Sequence, residues 1–206
     1  MPGRVHIVDD DASFRTAVER RLKHAGYDVV AYSSAQQLLD ALPDENSPGC
    51  ILLDVRIPGL SGPQLQARLS ELGSTMPIVF LTGHADIPTT VQTIKAGAQD
   101  FLVKPVSSED LLGAVERAMI SHEATRDRRG RLDTLRTLIA SLTPREREVF
   151  ELVVRGKMNK QIAAQLGTTE RTIKAHRQRV MEKTKVQSLA ELVSIAERLG
   201  ILGATG

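Results

Sequence analysis

Four apolar runs in the first half of this chain each stop at a residue able to do chemistry. HIVDDD at residues 6–11 ends in an acidic cluster, CILLD in Asp54, IVFLT in Thr82 and DFLVK in Lys104. Short unbroken runs of Val, Ile, Leu and Phe read as strands buried on both faces of a parallel sheet. Between them the apolar spacing turns helical, as at Phe14, Val18 and Leu22. Strands that alternate with helices require a parallel sheet covered on both sides, because parallel neighbours need a crossover. Ligands of such open sheets bind beyond the carboxyl ends of the strands. An acidic pair, a lone aspartate, a hydroxyl and an ammonium would then meet at one edge. That set suits a cation and a phosphoryl group.

The pattern predicts strands over residues 4–8, 28–32, 50–54, 77–81 and 100–103. Helices are expected over about 12–25, 35–42, 61–72 and 87–96, with a fifth capped by Ser107 and running to about residue 120. Gly26 and Gly97 stop two of them, in the role of the glycine that follows a helix. Residues 121–141 break the rhythm. They are charged at first and then place Leu132, Leu135, Leu138, Ile139 and Leu142 at helical spacing. A partly helical linker is expected there, a solvated spacer rather than a dimerising helix, since the repeat is too short for a coiled coil.

Beyond it, Thr143-Pro144-Arg145-Glu146 is a capping box with proline at the first helical position. That helix should run to about residue 155. A second is expected from an Asn159 cap to 166, a third from a Thr169 cap to 184, and a fourth over 188–199. A short helix, the tight Gly167-Thr168 turn and a basic helix make a helix-turn-helix. The chain thus divides into an α/β domain over 1–120, a linker over 121–141 and an all-α four-helix domain over 142–206.

Charge divides in the same place. Residues 1–122 carry 10 Lys and Arg against 15 Asp and Glu, a net −5, and residues 123–206 carry 17 against 10, a net +7. An acidic front and a basic back point to cation chemistry first and nucleic acid second. Trp is absent and aromatics make up 3% of the chain, so both cores must be aliphatic. The single Cys50 excludes an internal disulfide and reads as a small buried hydrophobe. No apolar stretch approaches a membrane span, and a cytoplasmic protein is expected.

Asp9, Asp10 and Asp54 brought together would repel one another unless a cation or a proton intervened. Mg²⁺ takes oxygen ligands from one or two carboxylates, waters and phosphate. A carboxylate is also a nucleophile for a phosphoryl group. The phosphoryl oxygens would then be neutralised by Mg²⁺, by Lys104 and by the Thr82 hydroxyl. Each piece alone is ordinary: an Asp after a strand is usually a turn former or cap, and most lysines are solvated. The joint pattern carries the reading.

These residues resemble the receiver domains of two-component response regulators. The resemblance covers roughly residues 3–120, through VDDD, LLDVRIPGLSG, LTGHAD and DFLVKP, and is closest in wording to the FixJ type. It implies a flavodoxin-like five-stranded receiver fold and a phosphoryl group taken by Asp54 from a histidine kinase. It further implies Mg²⁺ bound by Asp10, Asp9, Asp54 and the Arg56 carbonyl, phosphoryl contacts from Thr82 and Lys104, and a cis Lys104–Pro105 bond. Phe101 takes the place of the switch aromatic that follows Thr82 when it moves, altering the face formed by residues 87–103. Taking such a switch from 1:99 to 99:1 needs about 5.5 kcal/mol. Charge-assisted bonds of ~1.5–3 kcal/mol each make that reachable.

With Ile173 and Val180 inward, Arg171, Ala175, Gln178 and Glu182 point outward and Lys174 lies on the flank. Lys or Arg can bond guanine, Gln adenine, and Ala can touch a thymine methyl. Arg177, Arg179 and Lys183 are expected at phosphates. Residues 142–202 resemble the LuxR/NarL-type DNA-binding domain through LTPREREVFELVVRG, MNKQIAAQLG and ERTIKAHRQRVMEK. That resemblance implies base contacts from Lys174, Ala175 and Gln178. Backbone contacts would come from Arg171, Thr172, His176, Arg177, Asn159 and Lys160, and the fourth helix, with Glu191 and Leu192, would pair two domains on DNA.

The expectation is a response regulator of the FixJ/NarL type whose phosphorylation drives homodimerisation and promoter binding, with RNA polymerase a further partner. It is not expected to be an enzyme beyond transfer to itself and self-dephosphorylation. Alternatives are a Mg²⁺-dependent aspartyl-phosphate phosphatase, which would want an acid/base that neither Arg56 nor His84 clearly offers, and an RNA-binding output. The latter is disfavoured because the basic helix lacks aromatics for stacking.

Overall fold

The computed structural model describes residues 3–83 and 95–202. All but the last two residues of the helix expected over 87–96, and with them most of the face expected to pair, lie outside the described residues. The chain forms two compact units, Met1–Arg126 and Asp127–Gly206.

In the first unit the strands are β1 (Arg4–Val8), β2 (Asp28–Tyr32), β3 (Gly49–Asp54), β4 (Ile78–Thr82) and β5 (Asp100–Val103), in the order β2-β1-β3-β4-β5 and all parallel. The described helices are α1 (Ala12–His24), α2 (Ala35–Ala41), α3 (Gly62–Glu71) and the start of α4 (Ser108–Ala140). Alternate residues of each strand face opposite ways. Val5, Ile7, Cys50, Leu52, Val79 and Leu81 pack with Val18 and Leu22 of α1 and Leu111 and Val115 of α4. On the other face Val8, Ile51, Leu53 and Phe80 pack with Leu38 of α2 and Leu65 of α3. Burying such a side chain contributes ~1.5–3 kcal/mol, so the central strands anchor the sheet and hold their ends in register.

The helix expected to stop near residue 120 continues instead, through Ala140. Residues 121–134 contain no proline and one glycine, Gly130, so nothing local breaks it. His122, 1% exposed, accepts the Gly49 N–H on Nδ1 at 2.9 Å, and Arg126 Nε donates to the Glu45 carbonyl at 2.8 Å. These bonds carry the first unit past residue 120 as far as Arg126.

The second unit contains the end of α4 followed by α5 (Pro144–Val154), α6 (Asn159–Gln165), α7 (Glu170–Thr184) and α8 (Leu189–Arg198). Ile139, Leu142, Val149, Phe150, Ile162, Ile173, Val180, Leu192 and Ala196 form its core. Thr143 and Glu146 make the expected capping box. Thr169 caps α7 and Ser188 caps α8. The cap of α6 differs from expectation. Met158, not Asn159, holds the N-cap position, its N–H bonded to Gln161 Oε1 at 2.9 Å, and Asn159 is already helical. One residue inside the helix, the Asn159 side chain lies past the cap position and accepts from Arg177 instead.

Candidate functional site

Strand order reverses direction between β1 and β3, and ligands of doubly wound sheets bind at that switch point. Val8 pairs with Leu53, Asp54 with Leu81 and Thr82 with Val103, so Asp9, Asp54, Thr82 and Lys104 come level at the carboxyl edge. Asp9 is fully buried and Asp54 is 8% exposed, whereas Asp10 is open to solvent. Lys104 Nζ donates to Asp9 Oδ2 at 2.6 Å and to Asp54 Oδ2 at 2.5 Å. The other oxygens are held by backbone: Asp54 Oδ1 accepts from Arg56 N–H at 2.8 Å and Asp9 Oδ1 from Asp11 N–H at 2.9 Å. Asp11 caps α1 through Ser13 and Phe14 N–H.

Burial pushes the Asp9 carboxyl up from its ordinary pKa, against the pull of Lys104 and the Asp11 N–H. Burial also works against the Lys104 ammonium, but its bonds to Asp54 and Asp9 outweigh it and hold the pKa above the usual lysine range. Lys104 therefore stays charged. Thr82 is buried at the end of β4 and its carbonyl accepts the Lys104 N–H at 2.7 Å. Lys104–Pro105 is cis. Phe101 is half-buried against Phe80, with ring centroids 6.5 Å apart.

Three supporting residues were not singled out from sequence. Gly62 opens α3 so close to the site that a Cβ there would lie 2.6 Å from the Asp54 carbonyl oxygen and 2.9 Å from Phe80. Its only signal was the glycine of the loop after Asp54. The Phe14 ring lies 4.1 Å from Lys104 Nζ, a cation–π contact, and Arg15 donates to the Asp9 carbonyl at 2.6 Å. Helical spacing alone marks Phe14 in the sequence, and no sequence signal marks Arg15.

One oxygen from each of Asp9, Asp10 and Asp54 lies within 4.8 Å of the others. An all-carboxylate set with backbone carbonyls nearby is the donor chemistry of a hard divalent cation, and the residues fit Mg²⁺.

On α7, Ile173 and Val180 are buried, while Arg171, Thr172, Lys174, Ala175 and Gln178 are exposed along one side, as their spacing predicts. Gln178 Nε2 donates to Glu182 Oε1 at 3.0 Å. Gly167, at φ +62, makes the turn between α6 and α7, a conformation that side chains other than glycine adopt at a cost. His176 is half-buried, and its Nδ1 has no hydrogen-bond partner among the described residues. Lys160 is exposed and Asn159 half-buried at the start of α6. Two cations expected at phosphates are engaged within the unit. Arg177 Nη1 donates to Asn159 Oδ1 at 2.8 Å, and Lys183 Nζ bonds Glu146 Oε2 at 2.6 Å and the Ser141 carbonyl at 3.3 Å. Lys183 falls on the inward flank of α7, where the α5 carboxylate reaches it before solvent does.

A five-stranded receiver sheet with a carboxylate–ammonium edge, in one chain with a helix-turn-helix unit, defines a class of signalling regulator. The family model for the response regulator receiver domain matches residues 5–116, and that for bacterial regulatory proteins of the luxR family matches residues 140–196. Nodulation protein W of Bradyrhizobium diazoefficiens is 44% identical over 96% of this chain and 86% of its own. Transcriptional regulatory protein FixJ of the same organism is 40% identical over 97% of each. The solved structure of response regulator StyR matches with a TM-score of 0.83 at 42% identity, covering 96% of this chain and all of that one. The chain belongs to the response regulators that join a receiver to a LuxR-type DNA-binding domain. No helix among the described residues is long and apolar enough to cross a membrane.

Proposed function

We propose that this response regulator takes a phosphoryl group on Asp54 from a histidine kinase and, so modified, binds promoter DNA as a dimer. One observation carries the reading: Asp54 is the aspartate that ends a central strand with Lys104 Nζ 2.5 Å from its outer oxygen. An Asp54 oxygen attacks phosphorus of a donor phosphoimidazole. The P–N bond breaks as the P–O bond forms, and the imidazole leaves with the electron pair and takes a proton from solvent. Lys104, already at that oxygen, follows the phosphoryl group and offsets its charge. The Thr82 hydroxyl supplies a further donor, and its movement frees space for the Phe101 ring. A divalent cation held by Asp9, Asp10, Asp54 and the Arg56 carbonyl would supply charge neutralisation for the transfer.

In the second unit, Lys174, Ala175 and Gln178 read base edges. Arg171, Thr172, His176, Asn159 and Lys160 hold the backbone. Pairing uses α8 and the receiver face within residues 87–103. The receiver acts on its own carboxylate and turns over no outside substrate, the protein works in the cytoplasm, and RNA polymerase is the partner at the promoter. Incubation with a labelled acyl phosphate and Mg²⁺ tests this. Label is expected on the wild type and none on Asp54→Asn, with tighter binding of duplex DNA by the labelled protein. Equal labelling of both, or DNA affinity indifferent to label, would refute it.

A further inference from the structure

Arg177 sits on the inner flank of its helix. With Ile173 and Val180 both buried, 100° per residue places position 177 about 40° from Ile173 and far from the exposed Arg171–Ala175–Gln178 side. Arg177 is half-buried and lines a crevice with Val149, Val180, Met181 and Leu189. Its guanidinium crosses the helix-turn-helix to reach Asn159, the first residue of α6, where Nη1 donates to Oδ1 at 2.8 Å. The capping bond at that helix start is made by Gln161 Oε1 to the Met158 N–H, so the Asn159 amide has no part in the cap. A guanidinium has donors only, so it selects the oxygen of the amide. Both N–H groups of the Asn159 nitrogen remain to donate. Phosphate oxygens accept from such groups.

We infer that Arg177 is a positioning residue: it turns the Asn159 amide so that the NH₂ edge meets a DNA phosphate, and binds no phosphate itself. The inference rests on the reading above that Asn159 stands at the DNA backbone. It makes α6 and α7 a single clamp, with a neutral amide as the contact and the charge held behind it.

Binding of a fluorescent duplex of mixed sequence by the full chain, followed across a salt series, separates the roles. A cation that neutralises a phosphate adds to counterion release, so its loss flattens the log K against log salt slope by roughly 0.9. Arg177→Met is expected to weaken binding roughly threefold to tenfold, the size of one hydrogen bond, with the slope unchanged. Arg171→Met, on the exposed side, is the control that flattens it. Asn159→Ala should cost a similar factor, and the double variant no more than either single one. A flattened slope in Arg177→Met, unchanged affinity, or additive losses in the double variant would overturn the strut while leaving Asn159 at the backbone. Wild-type binding by Asn159→Ala would instead remove the backbone contact, and the strut with it. Should Arg177→Met not fold, Arg177→Lys keeps the charge but not the fork: a strut loses affinity, whereas a phosphate contact retains it.

Discussion

Replacing Lys183 by methionine should cost the DNA-binding unit a large part of its stability, although the residue is one of many surface cations. Its ammonium lies 2.6 Å from Glu146 Oε2, and the Glu146 side chain is 4% exposed against 36% for Lys183. Exposed ion pairs contribute ~0–1 kcal/mol, and breaking a fully buried one costs ~3–5 kcal/mol. This pair is buried at the carboxylate and open at the ammonium, and Glu146 keeps its bond from the Thr143 N–H at 2.9 Å. Those features place Lys183→Met at about 2–3 kcal/mol, between the two limits. With a urea dependence of about 1 kcal/mol per molar, the midpoint should fall by roughly 2–3 M.

Phe150 is the only aromatic residue beyond Arg126, so backbone amide resonances of α5 and α7, rather than fluorescence, report the transition. The effect must also depend on pH. The Lys183 hydrogen bond first, then the Thr143 N–H, lower the Glu146 pKa from 4.5 to about 2 against the cost of burial. A carboxyl depressed in the folded state contributes stability above its unfolded pKa and loses it as pH falls through the folded one. The gap between wild type and variant should therefore be full at neutral pH and close between about 4.5 and about 2. A gap below about 0.5 kcal/mol, the range of ordinary surface changes, would refute the reasoning, as would one that persists at the acid end.

Lys104→Met leaves Asp9 and Asp54 facing each other without the ammonium. Mg²⁺ binding, measured calorimetrically, should tighten by roughly threefold to tenfold while phosphoryl uptake slows, and weaker Mg²⁺ binding would count against the bridge. His6 is buried, with Nδ1 3.1 Å from the Tyr32 hydroxyl. Burial, then Arg4, lower its pKa from 6.5 to about 4 against the opposing pull of Asp28. An imidazole kept neutral by the fold gives full stability above 6.5 and loses it as pH falls toward about 4. Urea unfolding of the receiver should show a decline of roughly 3 kcal/mol over that window, absent in His6→Leu. Gly62→Ala drives a methyl into the Asp54 carbonyl and Phe80, so it should cost ~1–3 kcal/mol by thermal melting and slow labelling of Asp54.

Much of the fold was legible because its signals are local. A buried strand announces itself by an apolar run, and helices by spacing and by caps such as Thr143 and Thr169. The extent of α4 was not, since its charged middle carries neither a helix stop nor an apolar stripe. What extends the first unit to Arg126 is the pairing of His122 with Gly49 and of Arg126 with Glu45, across 73 and 81 residues of chain. At the acidic edge, sequence order identified which residues end the strands. It carried no sign that Phe14 would lie under the ammonium or that Gly62 would let α3 press against Asp54.

The same division holds for the basic helix. Sequence alone determined the order of elements, the residues at the carboxyl edge and the exposed side of α7, because periodicities of two and 3.6 residues assign each position to a face. Only the tertiary structure decided what the long cations do. Lys104 lies between Asp9 and Asp54, Lys183 is held by Glu146, and Arg177 turns in to Asn159, leaving the outer face to Arg171 and Lys174. Flexible cationic side chains reach several angstroms in many directions. The partner they settle on is the buried acceptor that packing brings within reach, since that acceptor has the most to lose by remaining unpaired.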